Sequence, residues 1–374
     1  MPKILFLVTE DWYFCSHRLP LAREAKLKGF DIVVATRVHE HGNHIVSAGF
    51  KLIPIRMKRR NRNPFHELKT IQELVAIYRE EKPDIVHHVA LKPVLFGSLA
   101  ALITGVPCVV NAVAGLGYLF SSNQWKAKLL GFFVRRVLGF LLNRSNSRTI
   151  VQNPDDQKML MQSGITKPPF TALIRGSGVD TEVFLPVDEP NGIITVILAS
   201  RMIWDKGIGE FVEAATIIKR EGIESRFVLV GNPDPGNPTS IPKAQLEKWN
   251  CTGIVEWLGN CDNMPEVFAK SHIVCLPSYY GEGIPKVLIE AASCARPIVT
   301  TDMPGCREIV LDGENGYLVP PRDAATLAEA LKKLIADKLL RQRMGNKGRE
   351  NVLKEFSIQK VTEETIAVYR ALLQ

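Results

Sequence analysis

Between residues 85 and 154 the chain contains no aspartate or glutamate. The gap skews the charge: residues 1–150 hold 22 Lys and Arg against 10 Asp and Glu, whereas the remainder holds 25 against 29. A basic half of this kind points to an anionic substrate or surface. Its aromatics are interleaved with aliphatics instead of being spaced as stacking platforms, so nucleic acid is not an expected partner. Long apolar runs are missing too. No segment reaches eighteen uninterrupted apolar residues, so no membrane-spanning helix is expected. Met1-Pro2-Lys3 leads straight into apolar residues 4–8 and then polar ones, so no cleavable leader is expected either. The seven cysteines (Cys15, Cys108, Cys251, Cys261, Cys275, Cys294 and Cys306) are scattered, and no close pair has histidine partners. That spacing argues against a zinc site and reads as reduced thiols of a cytosolic protein. No G-x-G-x-x-G follows the first apolar strand, which disfavours a nicotinamide dehydrogenase.

What is present centres on residues 277–321, PSYYGEGIPKVLIEAASCARPIVTTDMPGCREIVLDGENGYLVPP. Apolar residues 273–276 read as a buried strand ahead of it. The turn Gly281-Glu282-Gly283 follows, then Ile284, Pro285 and an apolar helix. Proline suits the first helical position, where its missing N–H costs nothing. A strand therefore delivers the chain to a helix N-terminus whose free N–H groups and dipole favour an anion, most often phosphate. Glu282 on the turn and Glu290 within the helix bracket that position. Carboxylates beside a phosphate site make sense if they accept hydrogen bonds from sugar hydroxyls, and a nucleotide sugar carries two sets of diols. A helix cap plus one surface glutamate is the blander alternative. A second segment, Ser200-Arg201-Met202-Ile203-Trp204-Asp205-Lys206-Gly207, follows apolar residues 193–199 and opens another helix. Arg201 and Lys206 are cations at a strand-to-helix turn, where a diphosphate needs them.

Together these segments resemble the retaining GT-B glycosyltransferases of family four, which include glycogen and sucrose synthases. The E-x7-E pair matches Glu282 and Glu290, S-R-x4-K-G matches residues 200–207, and D-G-x-N-G-x-L-V-P-P matches residues 312–321. The resemblance implies an α/β fold of two doubly wound Rossmann-like domains facing a central cleft. It implies that Arg201 and Lys206 clamp the donor diphosphate, Glu290 holds the ribose and Glu282 the transferred sugar. Gly259, Gly283, Ile284 and Pro285 complete the expected donor site. No D-x-D triplet occurs. The family generally needs no metal, because basic side chains and a helix dipole stabilise the leaving group, so neither metal nor cofactor is expected.

A chain of 374 residues is too long for one typical core. The expected division is residues 1–186 for the acceptor, 192–356 for the nucleotide sugar, and a helix over 357–374 that crosses back to the first domain. Expected strands lie at 4–8, 31–35, 51–55, 84–88, 108–111 and 148–151, then at 193–199, 226–230, 254–257, 273–276, 297–300 and 316–319. Apolar runs separated by helices indicate parallel sheets covered on both faces. Ligands are then expected at strand C-terminal ends.

At the first such end, residues 9–18 read TEDWYFCSHR, without the Gly-Gly loop of many family members. The wording resembles a bacterial branch that extends undecaprenyl-diphosphate-linked sugars and makes His17 and Arg18 candidate acceptor residues. Asp84-Ile85-Val86-His87 resembles the family's D-x-x-H, which implies a catalytic-site histidine at His87. His88 has opposite strand parity, so only one of the two can face the cleft. Lys92 beyond them is a candidate for an anion. The phrase N-x-x-x-G-L-G-x-L-F, residues 111–120, again resembles that branch and adds Asn111, Gly115 and Gly117 as acceptor candidates. Residues 124–144, QWKAKLLGFFVRRVLGFLLNR, read either as an interfacial basic helix or as a core helix with a basic edge. The cationic loop 56–62 supports docking on an anionic leaflet.

The function implied is transfer of a hexose or N-acetylhexosamine, most simply from a UDP-sugar, to a lipid-linked saccharide at the cytoplasmic face of the membrane. Two rivals remain open at this stage. A nucleotide-sugar epimerase of the same architecture would turn over donor without acceptor. A catalytically silent membrane scaffold would have no nucleotide affinity.

Overall fold

The computed structural model describes residues 1–58, 64–113 and 125–374. Arg59, Arg60 and Arg62 of the cationic loop, together with Gly115 and Gly117, lie outside the described residues, as do the side chains of residues 125–133. The chain forms two compact units: residues 1–178 with 358–374, and residues 179–357.

The first unit carries a parallel sheet of strands β1 (Lys3–Glu10), β2 (Asp31–Arg37), β3 (Lys51–Pro54), β4 (Ile85–Val89), β5 (Cys108–Val113), β6 (Ser147–Val151) and β7 (Thr171–Leu173). Their order is β3-β2-β1-β4-β5-β6-β7. Helices cover both faces, so the strands read as unbroken apolar runs. Phe6, Val34, Ile85 and Val110 pack into one layer, and Leu5, Val33, Val86 and Val109 into the other. The closing helix Ile358–Leu373 returns to this unit and contributes Val361, Ile366 and Tyr369 to the first layer. Burying side chains of this size contributes about 1.5–3 kcal/mol each. β7 was not expected: its residues, Thr-Ala-Leu, sit half-buried at the sheet edge and leave no apolar run to read.

The second unit repeats the plan with β8 (Thr195–Ala199), β9 (Arg226–Val230), β10 (Glu256–Trp257), β11 (Ile273–Leu276), β12 (Ile298–Thr301) and β13 (Gly316–Val319), ordered β10-β9-β8-β11-β12-β13. The expected strand at 254–257 shortens to two residues because it is an edge strand with one neighbour. In each sheet the strand order reverses once, between β1 and β4 and between β8 and β11. Those reversals leave crevices at the strand C-terminal ends, the usual ligand positions of doubly wound sheets. The loops leaving β8 and β11 carry residues 200–207 and 277–285. Among the described residues no helix is long and apolar enough to cross a membrane.

Candidate active site

β8 is buried along its length, and at Ser200 the chain turns out of the sheet. The loop that follows is held by backbone bonds: Ser200 N–H donates to Val230 carbonyl at 2.9 Å, Met202 N–H to Asn232 at 3.0 Å and Trp204 N–H to Thr239 at 2.8 Å. A single 3-10 turn, Trp204–Lys206, ends at Gly207, whose φ is 75°. A Cβ there would lie 2.0 Å from the Pro277 carbonyl oxygen, so only glycine lets the two loops meet. They are joined further by Tyr279 N–H, which donates to the Asp205 carbonyl at 3.0 Å.

This contact sets Lys206 against Glu282. The ammonium lies 2.5 Å from Glu282 Oε2, and Lys206 is only 7% exposed. Ser278 donates to the other oxygen of Glu282 at 2.9 Å. The turn itself is pressed by a third loop. Gly305, at φ 83°, approaches so closely that a Cβ would lie 1.5 Å from the Gly283 carbonyl oxygen. Cys306 beside it is buried, and burial pushes its thiol up to about 11, with the Glu282 charge adding to the shift. The sequence offered no periodic signal for Gly305, since its demand comes from a loop 22 residues away in the chain.

Pro285 is the N-cap and not the first helical residue as expected. Its ψ of 113° is extended, and the helix runs Lys286–Ser293. Ile284 ahead of it is buried. Glu290 is buried as well, with Lys286 Nζ at 2.9 Å. Burial raises the Glu290 pKa, and the charge of Lys286 opposes the rise. Arg201 is held by Asp234, its Nη1 lying 2.5 Å from Oδ2. Gly259, at φ 70°, accepts from Gly231 N–H at 2.6 Å and so joins the loops that leave β9 and β10. The structure thus brings Lys206 to Glu282 directly and couples Glu290 to Lys286 and Arg201 to Asp234. Lys286, Asp234, Ser278 and Gly305 were missed in the sequence.

In the first unit the two histidines of β4 point to opposite sheet faces, and both are core residues. His87 is 1% exposed; its ring stacks on Phe6, and Nδ1 lies 2.5 Å from the Tyr369 hydroxyl. Burial, with the charges of Arg18 and His88, holds its pKa well below the usual value. The expected sugar-facing histidine therefore gives way to one enclosed between β1 and the closing helix. His88 Nδ1 lies 2.8 Å from Asn111 Oδ1. An amide oxygen only accepts, so Nδ1 carries the proton and Nε2 accepts from the Tyr78 hydroxyl at 3.0 Å. Burial lowers the His88 pKa to about 4. Asn111 also donates to Ser147 Oγ and is fully buried. Its expected contact to an acceptor is corrected to a place in this internal network. Lys92 donates to Glu67 and to the Lys58 carbonyl, each at 2.7 Å, so its charge already has a partner.

Arg18 shares one feature with His87, whose Nε2 is also buried with no hydrogen-bond partner. Arg18 is 5% exposed at the junction of helices Asp11–His17 and Leu19–Leu27, and its Nε is buried with no hydrogen-bond partner. It makes no ion pair among the described residues. His17 next to it stacks on Tyr13 with ring centroids 4.1 Å apart.

Residues 183–351 match the family described as glycosyl transferases group 1, and residues 3–153 match glycosyl transferase 4-like. The chain is 27% identical to the N,N'-diacetylbacillosaminyl-diphospho-undecaprenol alpha-1,3-N-acetylgalactosaminyltransferase of Campylobacter jejuni, over 90% of both chains. It is 26% identical to the UDP-Gal:alpha-D-GlcNAc-diphosphoundecaprenol alpha-1,3-galactosyltransferase of Escherichia coli, over 83% of this chain and 81% of that one. Its fold matches the sucrose-phosphate synthase of Thermosynechococcus elongatus with a TM-score of 0.80 at 22% identity, over 100% of this chain and 99% of the other.

Proposed function

Because this chain belongs to the GT-B glycosyltransferases of family four, we propose that it transfers a hexose or N-acetylhexosamine from a UDP-sugar to a lipid-linked saccharide, with retention, in bacterial surface-glycan assembly. The observation that carries the donor assignment is the buried Lys206 ammonium on Glu282, at the strand-order reversal and beside the Lys286–Ser293 helix N-terminus. A desolvated cation and a helix terminus are what a departing diphosphate requires.

On this reading Arg201, Lys206 and the backbone around Gly283 take the diphosphate. Glu290 accepts from the ribose diol and Glu282 from the transferred sugar, while Gly259, Ile284 and Pro285 line the nucleoside. The bond from the sugar's anomeric carbon to the phosphate oxygen breaks, its electron pair stays on the diphosphate, and the cations meet the developing charge. The acceptor hydroxyl oxygen bonds the anomeric carbon, and its proton passes to the leaving phosphate. The chemistry needs no metal in this scheme, because side-chain cations supply the charge stabilisation.

The acceptor is assigned to the first unit. The relatives' names support a lipid-diphosphate acceptor, and its place on the first unit is supported by Arg18, a buried guanidinium without a carboxylate. The UDP donor is supported by the E. coli relative's name. Docking on an anionic leaflet is supported by the helix Trp125–Leu142, where Phe140 is 62% exposed beside Arg136. Arg135, Arg136, Phe140 and Ser163 line an open hollow of about 580 Å³ there.

The test is a panel of nucleotide sugars with purified protein and a synthetic lipid-diphosphate saccharide, read by mass spectrometry. One donor should extend the acceptor by one sugar, with the donor's anomeric configuration in the product. Donor turnover without an acceptor, or no turnover with any donor, would overturn the reading.

A further inference from the structure

Among the described residues, the three cations Lys206, Lys286 and Arg201 each hold a carboxylate. Lys206 pairs with Glu282 at 2.5 Å, Lys286 with Glu290 at 2.9 Å, and Arg201 with Asp234 at 2.5 Å. On the reading above, two of these carboxylates have work when donor arrives, since Glu282 and Glu290 turn to sugar hydroxyls. Asp234 has no hydroxyl allotted to it, yet it is built in. Its own N–H donates to Ser240 Oγ at 3.0 Å, and Ile203 bridges to Ser240, so the loop that leaves β9 is tied to the loop that carries Arg201. The pair is partly desolvated, with side-chain exposures of 31% for Arg201 and 21% for Asp234.

We propose that Asp234 is the counter-ion of the donor site, a residue that opposes the diphosphate for Arg201 and so weakens the hold on product more than on substrate. The inference rests on Arg201 as a diphosphate ligand. The discrimination follows from charge. In a nucleotide sugar each phosphate carries one negative charge. After transfer the terminal phosphate is free, and its second ionisation, near pH 6, adds most of another charge at neutral pH. A site with uncompensated cations would bind the spent nucleotide more tightly than the donor it must next accept. A carboxylate one ion pair away repels the more highly charged product more strongly. When the diphosphate leaves, Asp234 takes back the Nη1–H of Arg201, so neither charge is left unpaired.

Asp234→Asn keeps an oxygen that accepts from Arg201 and removes only the charge. In this variant the inhibition constant of UDP should fall, by about tenfold, because a carboxylate charge facing the diphosphate across a partly exposed site is gone. The KM for donor should fall less, by about threefold. Binding of UDP to the variant should also weaken more steeply with salt. Should the amide variant not fold, Asp234→Ser removes the same charge and is measured in its place. Unchanged or weakened UDP binding would overturn the proposal and make Asp234 a mere support for Arg201. An equal fall in both constants would overturn the discrimination. Arg201→Ala run alongside separates the two levels of inference. If it loses UDP affinity while Asp234→Asn gains none, only the counter-ion role fails. If it binds UDP normally, the diphosphate assignment fails and takes the counter-ion with it.

Discussion

Lys206→Met would leave Glu282 charged in a site built around an ammonium. The pair is 2.5 Å long, and the two side chains are 9% and 16% exposed. Removing one partner of a buried pair costs about 3–5 kcal/mol. Here the lower end applies, because Ser278 still donates to Glu282 at 2.9 Å and some solvent reaches the carboxylate. A loss of about 3 kcal/mol should lower the melting transition of the second unit by about 6–12 °C. Glu282→Gln should cost less, since an amide oxygen still accepts from the ammonium. The double variant Lys206→Met with Glu282→Gln buries no unpaired charge, so it should be more stable than the sum of the singles by about 2 kcal/mol. Scanning calorimetry of the four proteins measures the cycle. Turnover is a separate readout: Lys206→Met should lose at least about a hundredfold, comparable to removing one preorganised donor to a developing oxyanion. If the stability changes add to within about 0.5 kcal/mol, the pair carries no coupling in solution. Normal turnover in the single variant would remove Lys206 from the mechanism.

Glu290→Gln should weaken UDP binding yet stabilise the second unit at neutral pH. A buried carboxyl with a raised pKa contributes stability below about 4.5 that is lost as pH rises through its folded value, and the amide abolishes that loss; melting temperatures that still fall between pH 4.5 and 7, as in wild type, would contradict this. His88 is buried neutral with a pKa of about 4 against 6.5 unfolded, so its share of the first unit's stability, about 3 kcal/mol, should be lost as pH falls from about 6.5 to 4. In His88→Gln that slope should shrink when unfolding is followed by circular dichroism. Arg135→Ser with Arg136→Ser should sediment less with anionic vesicles than wild type at low salt, with little difference on neutral ones, because exposed charges act within about 10 Å at 0.1 M salt. Equal pelleting of wild type and variant would remove this helix from membrane docking.

Much of the fold was legible because its signals are local. Parallel strands show as short apolar runs, most plainly where both faces are buried, and twelve of them were readable at roughly their observed places. β7 escaped because its three residues, Thr-Ala-Leu, are too short to form a recognisable apolar run. The turn carrying Glu282 and Gly283, and the cations Arg201 and Lys206, were readable because charge and glycine at a strand-to-helix turn stand out without knowledge of neighbours. Other assignments failed for one shared reason. His87 and Asn111 are polar residues near strand C-terminal ends, and from sequence a polar side chain there reads as facing a ligand. The structure surrounds His87 with Phe6 and Tyr369, the latter 282 positions away, and locks Asn111 between His88 and Ser147.

By itself the sequence determined which segments become strands and helices and which turns can hold an anion, since backbone propensity, strand parity and charge are properties of short stretches. Tertiary structure alone decided which turns meet. The order β9-β8-β11-β12 makes neighbours of loops about 76 residues apart, and that adjacency gives Lys206 its carboxylate. Gly207 and Gly305 are required because another backbone occupies the space a Cβ would fill. Asp234 becomes the partner of Arg201 because the loop after β9 folds over the loop after β8. Each of these depends on distances between segments remote in the chain, and those are set when apolar layers pack, not by the residues adjoining them in sequence.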